Sequence, residues 1–454
     1  MIHFLPTDML FLATVAALVF FGFRSLGDPA QQRAWNRLFQ SRVAMVSAVF
    51  LVFFTVIGVV DSIRPGPEAS SLSLLDQILT PLRTSTERTY SAPLATHSSA
   101  HELILLADGR EVFERPRLTF GGRHLGADDS ARLGDLLRRG ILGSLGGFCI
   151  ALMGIGVMVF LSGHLRGQGI WSETRRLFLG GEGWPLRPVA MTLILLLVAW
   201  GAVFSLATGY HVLGTDKVGN DVLYQGLKSI RTGLLIGTLT TLATLPISLT
   251  LGVLAGYLGG WVDDAIQFLY TALNAIPGVL LIAASMLVMQ AYMASHEAAF
   301  QSLSARADFR LLALCLILGI TSWTGLCRLL RAETLKIREM EFVQAAKVMG
   351  VSEFRILLRH IVPNLSHLVL ISVAMDFSSL VLAEAVLSYV NIGVDPSTES
   401  WGNMINTARL ELAREPTVWW SLATAFMFMF TLVLAANLFA DALRDAFDPR
   451  GSLK

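Results

Sequence analysis

EFVQAAKVMGVSEFRILLRHIVPN, residues Glu341–Asn364, is a polar, helix-forming stretch set between two long apolar runs. Good helix formers fill Met340–Met349, and Gly350 is a natural point for a helix to end. A second helix is expected over Ser352–Ile361, with Ser352 as its N-cap, acidic Glu353 in its first turn, and Pro363 stopping simple continuation. Phe342, Ala345, Ala346 and Met349 recur at spacings of three and four, giving one apolar face, while Lys347, Arg355 and Arg359 keep the element basic. The product is a compact amphipathic elbow that either packs on its own bundle or docks on another chain.

The surrounding sequence says where such an elbow sits. Of 454 residues 54% are hydrophobic and only 15% charged, with a mean hydropathy of +0.60, so the chain is expected to be an all-α polytopic membrane protein. A net charge of +1 argues against a nucleic-acid partner. Nine apolar runs are span candidates: Met9–Phe23, Val43–Val60, Leu142–Ser162, Val189–Thr208, Leu234–Tyr257, Ala265–Met289, Leu311–Leu330, Leu365–Val390 and Val418–Phe439. The first lacks a basic preceding region and a small-residue cleavage pattern, so it reads as a retained span rather than a leader.

Basic residues set the orientation. Arg24, Arg33, Arg37 and Arg42, then Arg166, Arg175, Arg176 and Arg187, then the elbow's own cations all fall on one side of a nine-span chain. By the positive-inside rule that side is the cytoplasm, leaving the N-terminus outside and Lys454 inside. Residues 1–63 therefore hold two spans, 64–140 an external domain, 141–187 a third span with a cytoplasmic linker, and 188–454 a six-span unit carrying the elbow at 340–364. Within the external domain ELILLADGREVFERPRLTF reads as a hairpin about Asp108-Gly109, and Asp128–Arg139 as a helix, giving a small α/β domain. The turn YHVLGTDKVGNDVLYQG lacks the alternation of a calcium loop, so Asp216 and Asp221 are expected to be structural. Pro246 and Pro277 are placed inside spans, where they would kink them.

Chemistry-bearing residues are few. Cys149, Cys315 and Cys327 lie in apolar runs at unrelated spacings, and the external histidines His97, His101 and His124 are scattered, so no metal is expected. Asp376 and Glu384, two helical turns apart in the eighth run, are candidates for a translocation path because charge in lipid is costly and faces a bundle interior or water. Arg328, Arg331 and Glu333 read as anchors at a span end. There is no GxxxxGK[ST] loop, GxSxG elbow or HExxH helix, so ATP hydrolysis is not expected on this chain. Composition alone leaves a channel, a self-sufficient secondary transporter using Asp376 and Glu384, and an energy-coupled permease open.

At the elbow the sequence resembles the permease subunits of binding-protein-dependent ABC importers, whose cytoplasmic signature is EAA, three residues and Gly. Here it stands as QAAKVMG, with Gln344 in place of the Glu, followed by VSEFRILLRHIVPN. The ending RHI, an aliphatic residue and PN is similar to the second, C-type permease of dipeptide, oligopeptide and nickel importers. GTDKVGNDVL, GVLAGYLGGWVDD, WTGLCRLLRAE, EAVLSYVNIG with SWGNMI, and DALRDAFDP resemble that family in order, from Tyr210 to Pro449. The resemblance implies an ABC type I importer-like bundle of six transmembrane helices in the inner membrane. It also implies an elbow that couples to a separate ATPase through Gln344, Ala345, Ala346, Gly350, Val351, Ser352, Glu353 and Arg355. Further implications are a homologous second permease, two ATPase subunits holding ATP and Mg, a periplasmic binding protein, and a peptide or similar small solute as cargo. No cofactor is implied on this chain. The first 188 residues depart from the pattern: three added spans and the external domain are expected to precede the family's first span, here Val189–Thr208, with the external domain docking the binding protein, shaping the outer mouth or serving only as an appendage.

Overall fold

The computed structural model describes residues 2–26, 29–66, 72–105, 111–126, 129–166, 185–296, 300 and 302–447. A short strand β1 (Ile2–His3) leads into α1 (Pro6–Leu26), the amphipathic α2 (Pro29–Gln40) and α3 (Arg42–Ser62). Strand β2 (Arg64–Pro65) pairs antiparallel with β1, so the start of α1 and the end of α3 lie at the same end of the bundle. On α2 the apolar side is spent on packing, with Leu38 buried against Leu443 and Ala446, while Arg33 and Arg37 stay exposed.

Beyond β2 come α4 (Leu74–Ile78), closed by a capping box between Ser73 and Asp76, and α5 (Thr80–Thr84). The expected hairpin forms from β3 (Glu102–Leu105) and β4 (Glu111–Glu114); its Asp108-Gly109 turn lies outside the described residues. No α/β domain results. Among the described residues between 64 and 140 the only sheet is this pair of four-residue strands, too narrow to cover a core. The segment instead borrows the bundle's surface, as its contacts below show.

Helices α6 (Arg132–Arg166) and α7 (Leu186–Ala207) form a tight hairpin at the edge of the molecule. A Cβ at Gly147 would overlap the Leu197 carbonyl, and one at Gly143 the Gly201 carbonyl, so the backbones touch where glycines face each other. The centre belongs to α8 (Val222–Leu258), 37 residues and ~55 Å long. It carries Pro246 without breaking, packs against α1, α3 and Val362–Tyr389, and is followed by four further helices.

Those are α9 (Gly260–Asn274), α10 (Gly278–Ser295), α11 (Leu303–Ser322) and α12 (Thr324–Arg338). The run Ala265–Met289 is therefore not one span. It straddles a break in which Pro277 caps α10, because proline disfavours helix in the residue before it. Helices α11 and α12 meet at 41°. The chain closes with α13 (Glu341–Val348), α14 (Glu353–Ile356), α15 (Val362–Tyr389), α16 (Trp401–Glu411) and α17 (Trp420–Phe447). Among the described residues seven helices are long and apolar enough to cross a membrane, eight with α11 and α12 taken as one bent span, and α1 adds a shorter apolar stretch.

Candidate functional site

The elbow hangs from the end of the bundle where α12 stops. Helix α13 ends at Gly350, whose φ of +73° is the left-handed conformation. The Gly350 and Val351 amides donate to the Lys347 and Ala346 carbonyls, closing the helix end as a Schellman motif. Ser352 begins α14, although its side chain makes no capping bond. The expected stop at Pro363 does not occur. Leu357–Ile361 widens into a π turn in which Val362 N–H reaches the Leu357 carbonyl, and α15 runs on through the proline.

Val343, Ala346, Ile356, Ile361 and Leu365 are buried in a cluster with Val253, Tyr257, Leu326, Leu330 and Ile337. That is the face the sequence pattern sought, shifted by one position: Ala346 is an anchor, while Phe342, Ala345 and Met349 are exposed. Gly350, Ser352, Glu353 and Arg355 are exposed too, Gln344 and Val351 half-buried. Val348, Met349 and Phe354 project outward at 88%, 75% and 72% exposure, a contiguous apolar tip on an otherwise charged element. Lys347 lies 5.0 Å over the Tyr257 ring and Gln344 Nε2 donates to the Arg338 carbonyl at 3.0 Å, both holding α13 to the bundle. Arg331, read from sequence as an anchor at a span end, forks onto Asp263 at 2.5 and 2.6 Å, tying α12 to α9.

Asp376 and Glu384 share a helix but not a site. Glu384 is enclosed, accepting from Ser388 Oγ at 2.7 Å with Gly402 of α16 packed on its carboxylate. Asp376 lines a cavity of about 200 Å³ between α8, the α11–α12 bend and α15.

At the opposite end from the elbow, the loop 208–221 and the segment 72–126 are stitched together. Glu87 N donates to the Gly219 carbonyl, Thr215 N to Ser91 O, and Leu94 N to His211 O. Asp216 and Asp221 are structural: Asp216 accepts from Val218 and Asn220 amides, and Asp221 caps α8 through Leu223 and Tyr224 amides. Buried His211 stands between Asp221 (Nδ1, 2.6 Å) and Glu87 (Nε2, 3.4 Å). Burial pushes its pKa down, but the Asp221 hydrogen bond and the Glu87 charge outweigh this and hold it up at about 9. Burial likewise opposes ionisation of Glu87, yet His211, Thr119 and the Phe120 amide bring it down to about 2. Sequence reading missed this triad because its members lie far apart in the chain. It missed equally the buried pair of Asp8 on α1 and Arg231 on α8, at 2.5 Å.

The structure is thus a helical bundle with membrane-length apolar helices and an apolar-tipped elbow at one end. The family model described as binding-protein-dependent transport system inner membrane component matches residues 248–452, and that described as the N-terminal TM domain of oligopeptide transport permease C matches 31–73. Similar proteins include the oligopeptide transport system permease protein OppC of Mycobacterium tuberculosis, 32% identical over 239 residues, 53% of this chain and 76% of that one. The dipeptide transport system permease protein DppC of Lactococcus lactis subsp. cremoris is 31% identical over 242 residues, 53% and 64% respectively, so the chain spans just under two thirds of that relative. The glutathione transport system permease protein GsiD of Pectobacterium atrosepticum is 33% identical over 242 residues, 53% and 73%. The chain belongs to the family of binding-protein-dependent transport system inner membrane components, as a multi-pass, non-catalytic permease. The match at 31–73 also corrects the placement of the family's first span. It is α3, which packs against α8 and α17, and not α7, which packs chiefly on α6. The extra material is thus α1 before it and the block of outer segment, α6 and α7 after it.

Proposed function

We propose that this chain is one of two homologous membrane halves of an ATP-driven importer, passing peptides or similar small solutes handed over by a binding protein outside the cell. Two partner ATPase subunits, holding ATP and Mg, dock on the elbow. The observation that carries this reading is the elbow itself, a rigidly anchored helix pair whose outward tip is apolar and whose inward face is locked to α8, α12 and α15. Force on the tip would be passed to the three helices that flank the Asp376 cavity. The relatives' printed names, dipeptide, oligopeptide and glutathione transport, support the solute class. A self-sufficient carrier is not favoured, since Glu384 is sealed against α16 and offers no relay to Asp376.

Gly350→Val tests it. No atom lies within 4 Å of a Cβ at Gly350, so the change strains the turn without a packing clash. In the assembled complex, retained insertion with loss of ATPase co-purification and of cargo-stimulated hydrolysis is expected; undiminished stimulation would remove the elbow from the coupling path. On this reading, which the positive-inside rule supports, the N-terminus lies outside and the elbow in the cytoplasm: a cysteine at Lys217 should label in intact cells, one at Glu353 only after permeabilisation.

A further inference from the structure

The Asp376 cavity has a chemical bias that its permease role does not by itself require. Asp376 lies 14 residues beyond Val362 and 13 before Tyr389, ~20 Å along α15 from either end. Its neighbours in the wall are Thr241, Thr244, Ser322 and Ser379, with aliphatic residues completing it. Three of these hydroxyls donate to backbone carbonyls: Thr241 to Gly237 O at 2.7 Å, Thr244 to Thr240 O at 2.9 Å, Ser379 to Asp376 O at 2.7 Å. Their protons are committed, so toward the cavity they offer acceptor lone pairs. No cationic side chain lines the cavity, and among the described residues no side chain donates to the Asp376 carboxylate. The site is rich in acceptors, poor in donors, and holds one carboxylate.

We propose that this cavity binds a protonated primary amine, Asp376 taking its charge and the hydroxyl oxygens its N–H groups. An ammonium has three donors and no acceptor, the complement of this wall. A divalent metal ion would want more carboxylate oxygens than one side chain supplies, and an anion would meet no donor. On the importer reading, on which the identity of the amine rests, it is the amino terminus or a lysine of the passing solute.

The first arm of the test needs no partner. With Cys149→Ser removing the exposed thiol, Ser322→Cys in the full chain in membrane vesicles is modified by ethylammonium, hydroxyethyl and ethylsulfonate methanethiosulfonates, rates being normalised to a free thiol. The cationic reagent should outpace the anionic one by roughly tenfold or more. Asp376→Asn should bring the ratio near one and Asp376→Glu should restore it. Ser379→Cys repeats the measurement should Ser322→Cys fail to insert. Equal rates with Asp376 present overturn the proposal.

The second arm uses the assembled transporter with its binding protein saturated. It compares uptake of a free-amine peptide, the N-acetylated peptide, and an N-acetylated peptide bearing lysine. Preference for the free amine alone assigns the terminus, preference for both amine carriers assigns any ammonium, and Asp376→Asn should erase either preference. Cation selectivity in the first arm with no uptake of any peptide would overturn the importer reading and leave the amine site standing.

Discussion

Gln344 shows how one atom type settles a question of charge. Its Nε2 donates to the Arg338 carbonyl at 3.0 Å and stands 3.5 Å from Glu339 Oε2. A glutamate here would set a carboxylate against a carbonyl and a second carboxylate, so Gln344→Glu should destabilise the elbow by about 1 kcal/mol, read as faster proteolysis between α12 and α14. Gln344→Ala should cost less. Asp8 is a sharper case, because Arg231 is buried with it. Asp8→Asn removes the carboxylate bonded to the buried guanidinium and leaves it only the Asp61 and Asp308 charges, for an expected loss of about 3 kcal/mol in the thermal unfolding of the purified chain. His211 adds a pH signature. Its folded pKa of about 9 lies above the ordinary ~6.5, so the stability it contributes is full below ~6.5 and lost as pH rises through 9. Hydrogen exchange in the outer segment should therefore accelerate from neutral to alkaline pH, and His211→Gln should flatten that dependence.

At the scale of elements, what could be read from the sequence was whatever depends on neighbours in the chain. Hydropathy located all but two of the spans it sought, failing at Met9–Phe23 and Ala265–Met289, while Gly350 marked the elbow's turn and the Gly-rich and Asp-rich loop at 214–221 announced itself as a turn. Two breaks escaped. Pro277 was taken as a kink within a span and is a cap between two helices; Pro363 was taken as a stop and is accommodated by a π turn. In each case the outcome hangs on where the displaced backbone bond goes, which spacing does not record. The α6–α7 hairpin is legible only in hindsight, from Gly143, Gly147 and Gly201. Gly147→Leu should force these helices apart, reducing disulfide cross-linking between cysteines placed at Gly154 and Leu193, since a Cβ at Gly154 would lie 3.4 Å from the Leu193 side chain; a bundle that still assembles would show the hairpin to be separable from it.

For the molecule as a whole, α3 and the helices from α8 to α17 form the bundle, and the α6–α7 pair and the segment 72–126 are attached to it in two ways. The α6–α7 pair leans on α3 from outside. The outer segment is stitched into the loop between α7 and α8 and reaches α16, where Tyr90 Oη donates to Glu411 at 2.9 Å. Which added part is integral and which peripheral depends on contacts between residues more than a hundred apart, and no local pattern carries that. Deleting residues 65–138 would uncover His211 and Asp221 along with the mouth of the bundle. The expected result is loss of uptake together with lowered thermal stability, whereas undisturbed uptake would mark the segment as an appendage.

The pairing of Asp8 with Arg231 also bears on how the chain is made. The partners are 223 residues apart, so at ~5–20 residues per second the ribosome delivers the arginine roughly 10–45 s after the carboxylate. Through that interval the cation within reach of Asp8 is Arg64, 3.7 Å from it in the folded chain, and the closer pair with Arg231 must wait. The seating of α1 against the bundle is therefore complete only once α8 has arrived to receive it.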